Sequence, residues 1–156
     1  MPRNPSNALT IFFFLFVSIS AFSQKNTDSI HMDIQQRTEE IFDSLVTIRR
    51  DFHRYPEVGG NEKRTSEKIA DYLTRLGLEV KKGIGGYGVV GILRGTKPGK
   101  KIAWRADIDA MPSNAQDMVD FASKNEGVRH ICGHDVHTAV ALGIANVLVN
   151  QKEKLE

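Results

Sequence analysis

The chain has 156 residues, enough for one domain of ordinary size. Its 21 basic and 19 acidic residues leave a formal net charge of +2, and no long run of like charges occurs. This balance gives no support for a nucleic-acid partner. The single cysteine excludes an internal disulfide bond.

The N-terminal segment has the organisation of a secretory signal peptide. Arg3 supplies a positive charge, Leu9–Ile19 is almost wholly apolar, and small residues stand at the cleavage positions before Gln24. The alternative is a membrane anchor, but this apolar run is shorter than the about 20 residues that a spanning helix needs. We therefore predict a signal peptide at residues 1–23, a polar linker at residues 24–31, export to the periplasm or the extracellular space, and no stable membrane span after cleavage.

Two helices are predicted next. The segment Met32–Arg54 carries apolar residues at helical spacing, and Pro56 ends it. The segment Glu62–Leu76 carries a second stripe, and Gly77 is a suitable C-terminal stop. The stripes consist of Ile34, Ile41, Leu45, Ile48 and Phe52 in the first helix and of Thr65, Ile69, Leu73 and Leu76 in the second.

Three strands follow the second helix. Leu78–Lys82 and Val89–Arg94 are short apolar runs, and the glycine-rich stretch Gly83–Gly88 between them predicts a hairpin turn. This stretch lacks the lysine and hydroxyl pair of a phosphate-binding loop and precedes a strand, so we do not interpret it as a nucleotide site. Lys101–Ala106 is predicted to be a further, central strand.

The remaining part of the chain is irregular and then helical. Residues 113–128 show no clear periodicity, and Val136–Gln151 is apolar and rich in small residues, as expected of a buried helix packed against a sheet. Asp135 is a suitable N-cap for that helix. The order of helix, helix, three strands and helix predicts a mixed α/β fold.

The eight residues HICGHDVH at positions 130–137 form the densest cluster of metal-binding residue types. A thiolate at Cys132 and an imidazole at His134, separated by one glycine, suit a borderline-soft divalent metal such as zinc. A helix N-terminus just after Cys132 would favour the thiolate form. The alternative, a cysteine that is only a small buried hydrophobic residue, does not explain why three histidines and a carboxylate crowd around it.

Two acidic residues follow the predicted central strand. Asp107 and Asp109 alternate along an extended segment, so both carboxylates can face one site and hold a ligand histidine or bind the metal. A solvated pair at a strand end is the alternative. We interpret His53, at the end of the first helix, as a C-terminal capping cation rather than a ligand.

At this point three motifs carry a resemblance to a known family. They are RDFHRYPE at positions 50–57, RADIDAMP at positions 105–112, and HICGHDVH at positions 130–137. The chain resembles the N-terminal portion of the M20 family of metallopeptidases and amidohydrolases, within its aminoacylase-like branch. The resemblance spans about residues 41–148 and implies that residues 32–156 form part of a zinc-peptidase-like α/β catalytic domain, with a mixed sheet flanked by helices.

The resemblance implies a site for two divalent ions, of zinc, manganese or a similar metal. Cys132 would bridge the ions and His134 would bind one of them, with Asp109 supporting the site. The resemblance also implies that three residues hold the metal ligands in place without binding the metal themselves: Asp107, Asp135 and His137. The general base, a glutamate in this family, has no counterpart in this chain, nor have the further histidine ligands or the lid and dimerisation domain.

The activity implied is metal-assisted hydrolysis of the amide bond of N-acyl amino acids or related conjugates. The alternatives are a metallopeptidase that acts on short peptides and a non-catalytic truncated relative. The small-molecule substrate would be an N-acyl amino acid or a peptide, and the resemblance allows a homodimer for the full-length protein. We expect the 156-residue chain alone to be inactive.

Overall fold

The computed structural model describes the backbone of residues 6–155 and the side chains of residues 29–155. Helix α1 (Ser6–Arg54) runs through the predicted linker at residues 24–31, because no glycine or proline occurs between Ser6 and Arg54. Met1–Pro5 and the side chains before position 29 lie outside the described residues. The division into signal peptide and catalytic portion therefore stays a prediction.

The chain forms two compact units, one before Glu40 and one from Glu40 onward. The second unit has the predicted mixed α/β composition, with helices and two small antiparallel sheets. The apolar stripe of α1 is buried there at Ile41 and Phe52, whereas Ile34, in the first unit, is exposed. In the part of the chain that the structure describes, no helix carries an apolar stretch that could cross a bilayer.

Helix α2 (Lys63–Arg75) forms within one residue of its predicted bounds. Its first turn is capped from a distance, since the carboxylate of Glu57 accepts hydrogen bonds from the backbone amides of Arg64 and Thr65 and from the Thr65 hydroxyl. At the other end, Gly77 has a φ of +82°, as expected of a glycine that stops a helix.

Strands β1 (Glu79–Ile84) and β2 (Gly88–Ile92) form the predicted antiparallel hairpin. Helix α2 packs on this hairpin. A Cβ atom added at Gly91 would lie 3.0 Å from side-chain carbons of Leu73 and Leu78, so a glycine is needed for this close approach.

The hydrophobic core joins the two helices to the hairpin and to helix α3 (His134–Asn150). Its fully buried members are Phe52, Ile69, Leu73 and Leu142. Gly143 of α3 lets the helix approach α1, because an added Cβ would lie 2.7 Å from a methyl carbon of Leu45. At Gly143, the small residue of α3 therefore serves packing against a helix.

The predicted central strand Lys101–Ala106 is wrong, because this segment forms no regular secondary structure and pairs with no strand among residues 6–155. Ile102 is 93% exposed and Trp104 is 67% exposed. A strand is stable only when a neighbour satisfies its backbone groups and covers a face. Such a neighbour is lacking around this segment in the described structure.

The second sheet joins two very short strands, β3 (Met111–Pro112) and β4 (Val128–Arg129). They enclose the irregular stretch that the sequence predicts between them. An isolated parallel bridge between Val58 and Ala110 adds a further connection, and the Ala110 amide donates to the Glu57 carbonyl over 2.7 Å. These contacts fix the segment that carries Asp107 and Asp109 beside the start of α3. A short 3-10 turn (Lys152–Lys154) follows α3.

Candidate metal centre

His134 and Asp109 form the centre of the candidate site. The Nδ1 atom of His134 lies 3.0 Å from Oδ1 of Asp109 and 2.9 Å from the Asp109 carbonyl oxygen. Both oxygens are acceptors, so Nδ1 is the donor, and in the neutral form of the ring Nε2 carries the lone pair. A carboxylate that fixes a histidine in this way is the usual partner of a metal-ligating imidazole.

Cys132 lies two residues earlier, on the turn before α3, and its side chain is exposed. Gly133 is the N-cap of α3 and has a φ of +81°, a backbone conformation that favours glycine. This left-handed residue lets the chain turn sharply between Cys132 and His134. The thiol therefore stands at the positive end of a helix, as the sequence predicts.

Asp135 is not the N-cap of α3, contrary to the prediction. The helix begins at His134, and Asp135 occupies its first turn with only 1% of its surface exposed. Its carboxylate contacts α1, because Oδ2 lies 2.8 Å from His53 Nδ1 and 2.8 Å from Arg49 Nε. Arg49 supplies a charge and His53 a hydrogen bond, and together they stabilise a buried carboxylate more than an exposed helix end would.

Asp107 faces solvent and pairs with Arg105, whose Nη2 lies 2.8 Å from Oδ1. The hydrogen bond and the charge of Arg105 hold the pKa of Asp107 below its usual range, outweighing a small effect of burial, and His134 and His137 act in the same direction. The Asp107 carbonyl also accepts a hydrogen bond from the Thr138 hydroxyl over 3.1 Å. Asp107 thus ties its segment to α3 through its backbone.

His137 stands one helical turn after His134, and the centroids of the two rings are 5.7 Å apart. In the described structure, no three His, Cys, Asp or Glu side chains come together closely enough to hold an ion. Cys132 and His134 suit a divalent metal in donor type, but a protein zinc site has three or four protein ligands. The assignment of these two residues as ligands therefore stays a prediction.

His53 takes a place that sequence reasoning missed. Instead of capping α1, its ring is buried, with 9% of the residue exposed, and both of its nitrogens face carboxylates. Nδ1 lies 2.8 Å from Asp135 and Nε2 lies 3.1 Å from Asp117. The edge of Phe121 packs against the ring, with centroids 5.2 Å apart.

His130 is also buried, and neither of its ring nitrogens has a hydrogen-bond partner in the structure. Burial lowers the pKa of His130, because a charged ring would lose its solvation there; the charge of Asp135 acts in the opposite direction. The residue lines a pocket of about 40 Å³ together with His53, Gln116, Asp117, Arg129 and Ile131. This volume admits water-sized groups only.

One signal in the sequence points to the His53 contacts. Arg49 and His53 are four residues apart on a helix, so they share a face and can reach one partner. The partner Asp135 is 82 residues away, and no local pattern indicates that distance. Asp117 lies in the stretch without periodicity, where the sequence gives no signal at all.

Comparison with known proteins places these motifs in context. Residues 103–156 match the sequence profile of the peptidase family M20/M25/M40. Thermostable carboxypeptidase 1 of Saccharolobus solfataricus is 46% identical over 121 residues, which are 77% of this chain and 31% of that protein. N-acetyldiaminopimelate deacetylase of Listeria innocua is 38% identical over 117 residues, covering 73% of this chain and 31% of that protein.

A solved structure shares the fold. It is the YxeP protein of Bacillus subtilis, described as a dinuclear metal-binding peptidase from the M20 family. It superimposes with a TM-score of 0.71 at 37% identity, covering 75% of this chain and 33% of that chain. The present chain thus spans about a third of the length of the relatives that it matches.

Proposed function

Because this chain belongs to the M20 family of peptidases and amidohydrolases, we propose that it supplies metal ligands to an amidohydrolase that cleaves N-acyl amino acids. The observation that carries the proposal is the pair of His134 and Asp109. Its geometry leaves the Nε2 lone pair of His134 available, next to the exposed Cys132. An imidazole oriented by a carboxylate and a thiol at a helix N-terminus are donors that suit zinc or manganese.

Each of these residues has a defined task in the proposed reaction. Asp109 fixes the tautomer and the direction of the His134 ring, and Cys132 and His134 bind the metal. Two divalent ions, when bound, would polarise the scissile carbonyl and acidify a water molecule. We assign no general base to this chain, so proton transfer to the leaving amine requires a group from elsewhere.

The names of two relatives support the proposed substrate class. One is named a deacetylase of N-acetyldiaminopimelate, which is an N-acyl amino acid. Another is named a carboxypeptidase and is more similar in sequence, which favours short peptides as the second candidate substrate. Both substrates contain an amide bond next to a free carboxylate, so one metal site can serve either reaction.

Hydrolysis of hippurate and of a dipeptide with a free amino group separates the two candidates. We expect the 156-residue chain with added Zn²⁺ or Mn²⁺ to hydrolyse neither. The product of the complete source reading frame that contains this sequence should hydrolyse hippurate, and Cys132→Ala should abolish that activity. Turnover of the dipeptide alone would replace our proposal with the peptidase, and activity that survives Cys132→Ala would refute the metal site.

We also propose that the protein is exported. The support is the charge at Arg3, the apolar run Leu9–Ile19, and the small residues before Gln24. The mature protein, recovered from the periplasm or the culture medium of the source cells, should begin at Gln24 by N-terminal sequencing. A mature protein that begins at Met1 or Pro2 and stays in the cytosol would refute export.

A further inference from the structure

We propose that His53 is a positioning residue that locks the start of α3 against α1 and thereby aims Cys132 and His134 at the metal. The part that concerns metal rests on the proposed function. The lock itself rests on the contacts of the described residues alone.

The first step of the argument is the burial of Asp135. This carboxylate has 1% of its surface exposed, and a buried charge is costly unless it is paired and hydrogen-bonded. His53 Nδ1 supplies a hydrogen bond to Oδ2 over 2.8 Å, and Arg49 Nε lies within ion-pair distance of the same oxygen. Both partners belong to the last two turns of α1, so the charge of Asp135 binds α3 to α1.

The second step is the position of Asp135 in the chain. It directly follows His134 and stands three residues after Cys132. A carboxylate held at this point fixes the first turn of α3, where the amides of Val136 and His137 both donate to the Gly133 carbonyl over 3.0 Å. Movement of Asp135 would move Gly133 and, with it, the turn between the two predicted ligands.

The third step concerns the other nitrogen of His53. Nε2 lies 3.1 Å from Asp117 Oδ1, and Oδ2 of Asp117 accepts the Ser123 amide over 2.9 Å. The His53 ring therefore lies between α3 on one side and the irregular stretch on the other. The contact with α3 is made by Nδ1, so it can be tested separately from the contact of Nε2 with Asp117.

Side-chain replacements separate the two contacts of the ring. Asparagine at position 53 places an amide nitrogen near the position of Nδ1, which can still donate to Asp135. Glutamine reaches toward the position of Nε2 and hence toward Asp117. Alanine removes both contacts, and His31→Ala is the matched control, because His31 is an exposed histidine of the same helix.

The first measurement is amide hydrogen exchange without metal. We expect His53→Ala and His53→Gln to speed exchange at Val136 and His137 by about tenfold or more, relative to the Leu76 amide at the end of α2. His53→Asn and His31→Ala should leave that ratio unchanged. Equal acceleration at all three amides would mean general destabilisation and would overturn the lock. An exchange ratio in His53→Ala equal to that of the wild type would overturn it as well.

The second measurement uses the same substitutions in the product of the complete source reading frame and follows the binding of Co²⁺ by the thiolate-to-metal absorption of Cys132. Loss of a group that orients a ligand costs about 10- to 100-fold in metal affinity, so His53→Ala and His53→Gln should bind that much more weakly. His53→Asn should retain the affinity of the wild type. Equal affinity in His53→Ala would overturn the role of His53 at the metal.

The failure of the proposed function has a different signature. If the wild type binds no Co²⁺, or if Cys132→Ser binds it as tightly as the wild type, the metal site is refuted and so is the aiming of Cys132 and His134. The exchange data then decide separately whether His53 locks the start of α3.

Discussion

The β1–β2 hairpin and the segment at residues 101–106 are both predicted as strands from their apolar side chains, but their surroundings are opposite. The hairpin pairs along its length and lies under α2, with Val80 and Val89 packed on the core. The second segment pairs with nothing in the described structure, and Ile102 and Trp104 face solvent. The comparison shows that an apolar extended segment becomes a strand only where a partner and a covering element are both at hand.

The largest expected effect of a substitution lies on the core that covers the hairpin. Phe52 is 2% exposed, and Phe52→Ala should lower the free energy of unfolding by about 3–5 kcal/mol, since it removes a large buried ring and leaves a cavity. Urea-induced unfolding followed by circular dichroism measures the loss.

The matched control is Phe42→Ala, because Phe42 lies on the same helix and is 59% exposed. Its effect should stay within about 0.5 kcal/mol. Similar losses in the free energy of unfolding for both variants would mean that the core that covers the hairpin is not the principal source of stability.

A smaller effect is expected at the cap of the helix that covers the hairpin. Glu57→Ala removes the acceptor of two backbone amides and of the Thr65 hydroxyl, so α2 should lose about 1–2 kcal/mol of stability. Glu67→Ala, an exposed change on the same helix, is the control for the charge itself. A loss in Glu67→Ala equal to that in Glu57→Ala would show that charge, and not capping, sets the stability of α2.

The pH dependence of stability tests the polar contacts of Asp117, which lies in the irregular stretch between β3 and β4. Burial raises the pKa of Asp117, but the Ser123 amide, His53 and Arg129 lower it more, so the folded pKa lies below the ordinary value of 3.8. The stabilisation is therefore present above the unfolded pKa and is lost as the pH falls through the lower, folded pKa.

The measurement compares the wild type with Asp117→Asn. The wild type should be the more stable protein at about pH 6, and the difference should shrink below about pH 4, where the unfolded carboxyl binds a proton. A difference that is constant from neutral to acidic pH would exclude the charge of Asp117 as its source.

The parts of the molecule that the sequence predicts are those in which neighbouring residues decide the structure. The end of α1, the bounds of α2 and the hairpin follow from stripes, Gly77 and the glycine-rich turn. Asp109 and His134 are also in contact, and the expectation that His134 is a metal ligand stays a prediction.

The sequence predictions that the structure contradicts share one physical cause, since each feature depends on a partner that is distant in the sequence. The segment 101–106 has the composition of a strand, but composition does not report whether a neighbouring strand is present. Asp135 has the chemistry of an N-cap, but Arg49 and His53 of α1 stabilise it in another place. The position of His53 at a helix end predicts a capping role, whereas its partners lie 64 and 82 residues away.

The smallest expected effect of a substitution lies in residues 101–106, and a comparison with the hairpin tests the difference between the two segments directly. Ile102→Thr should change the free energy of unfolding by less than about 0.5 kcal/mol, because a side chain that is 93% exposed has little to lose. Val89→Thr, the same kind of change on the hairpin, should cost about 1 kcal/mol or more, since it places a hydroxyl against the core. If Ile102→Thr costs as much as Val89→Thr in urea unfolding, then the segment 101–106 is covered in solution, and an apolar run of this kind finds a partner even where the fold of a single chain offers none.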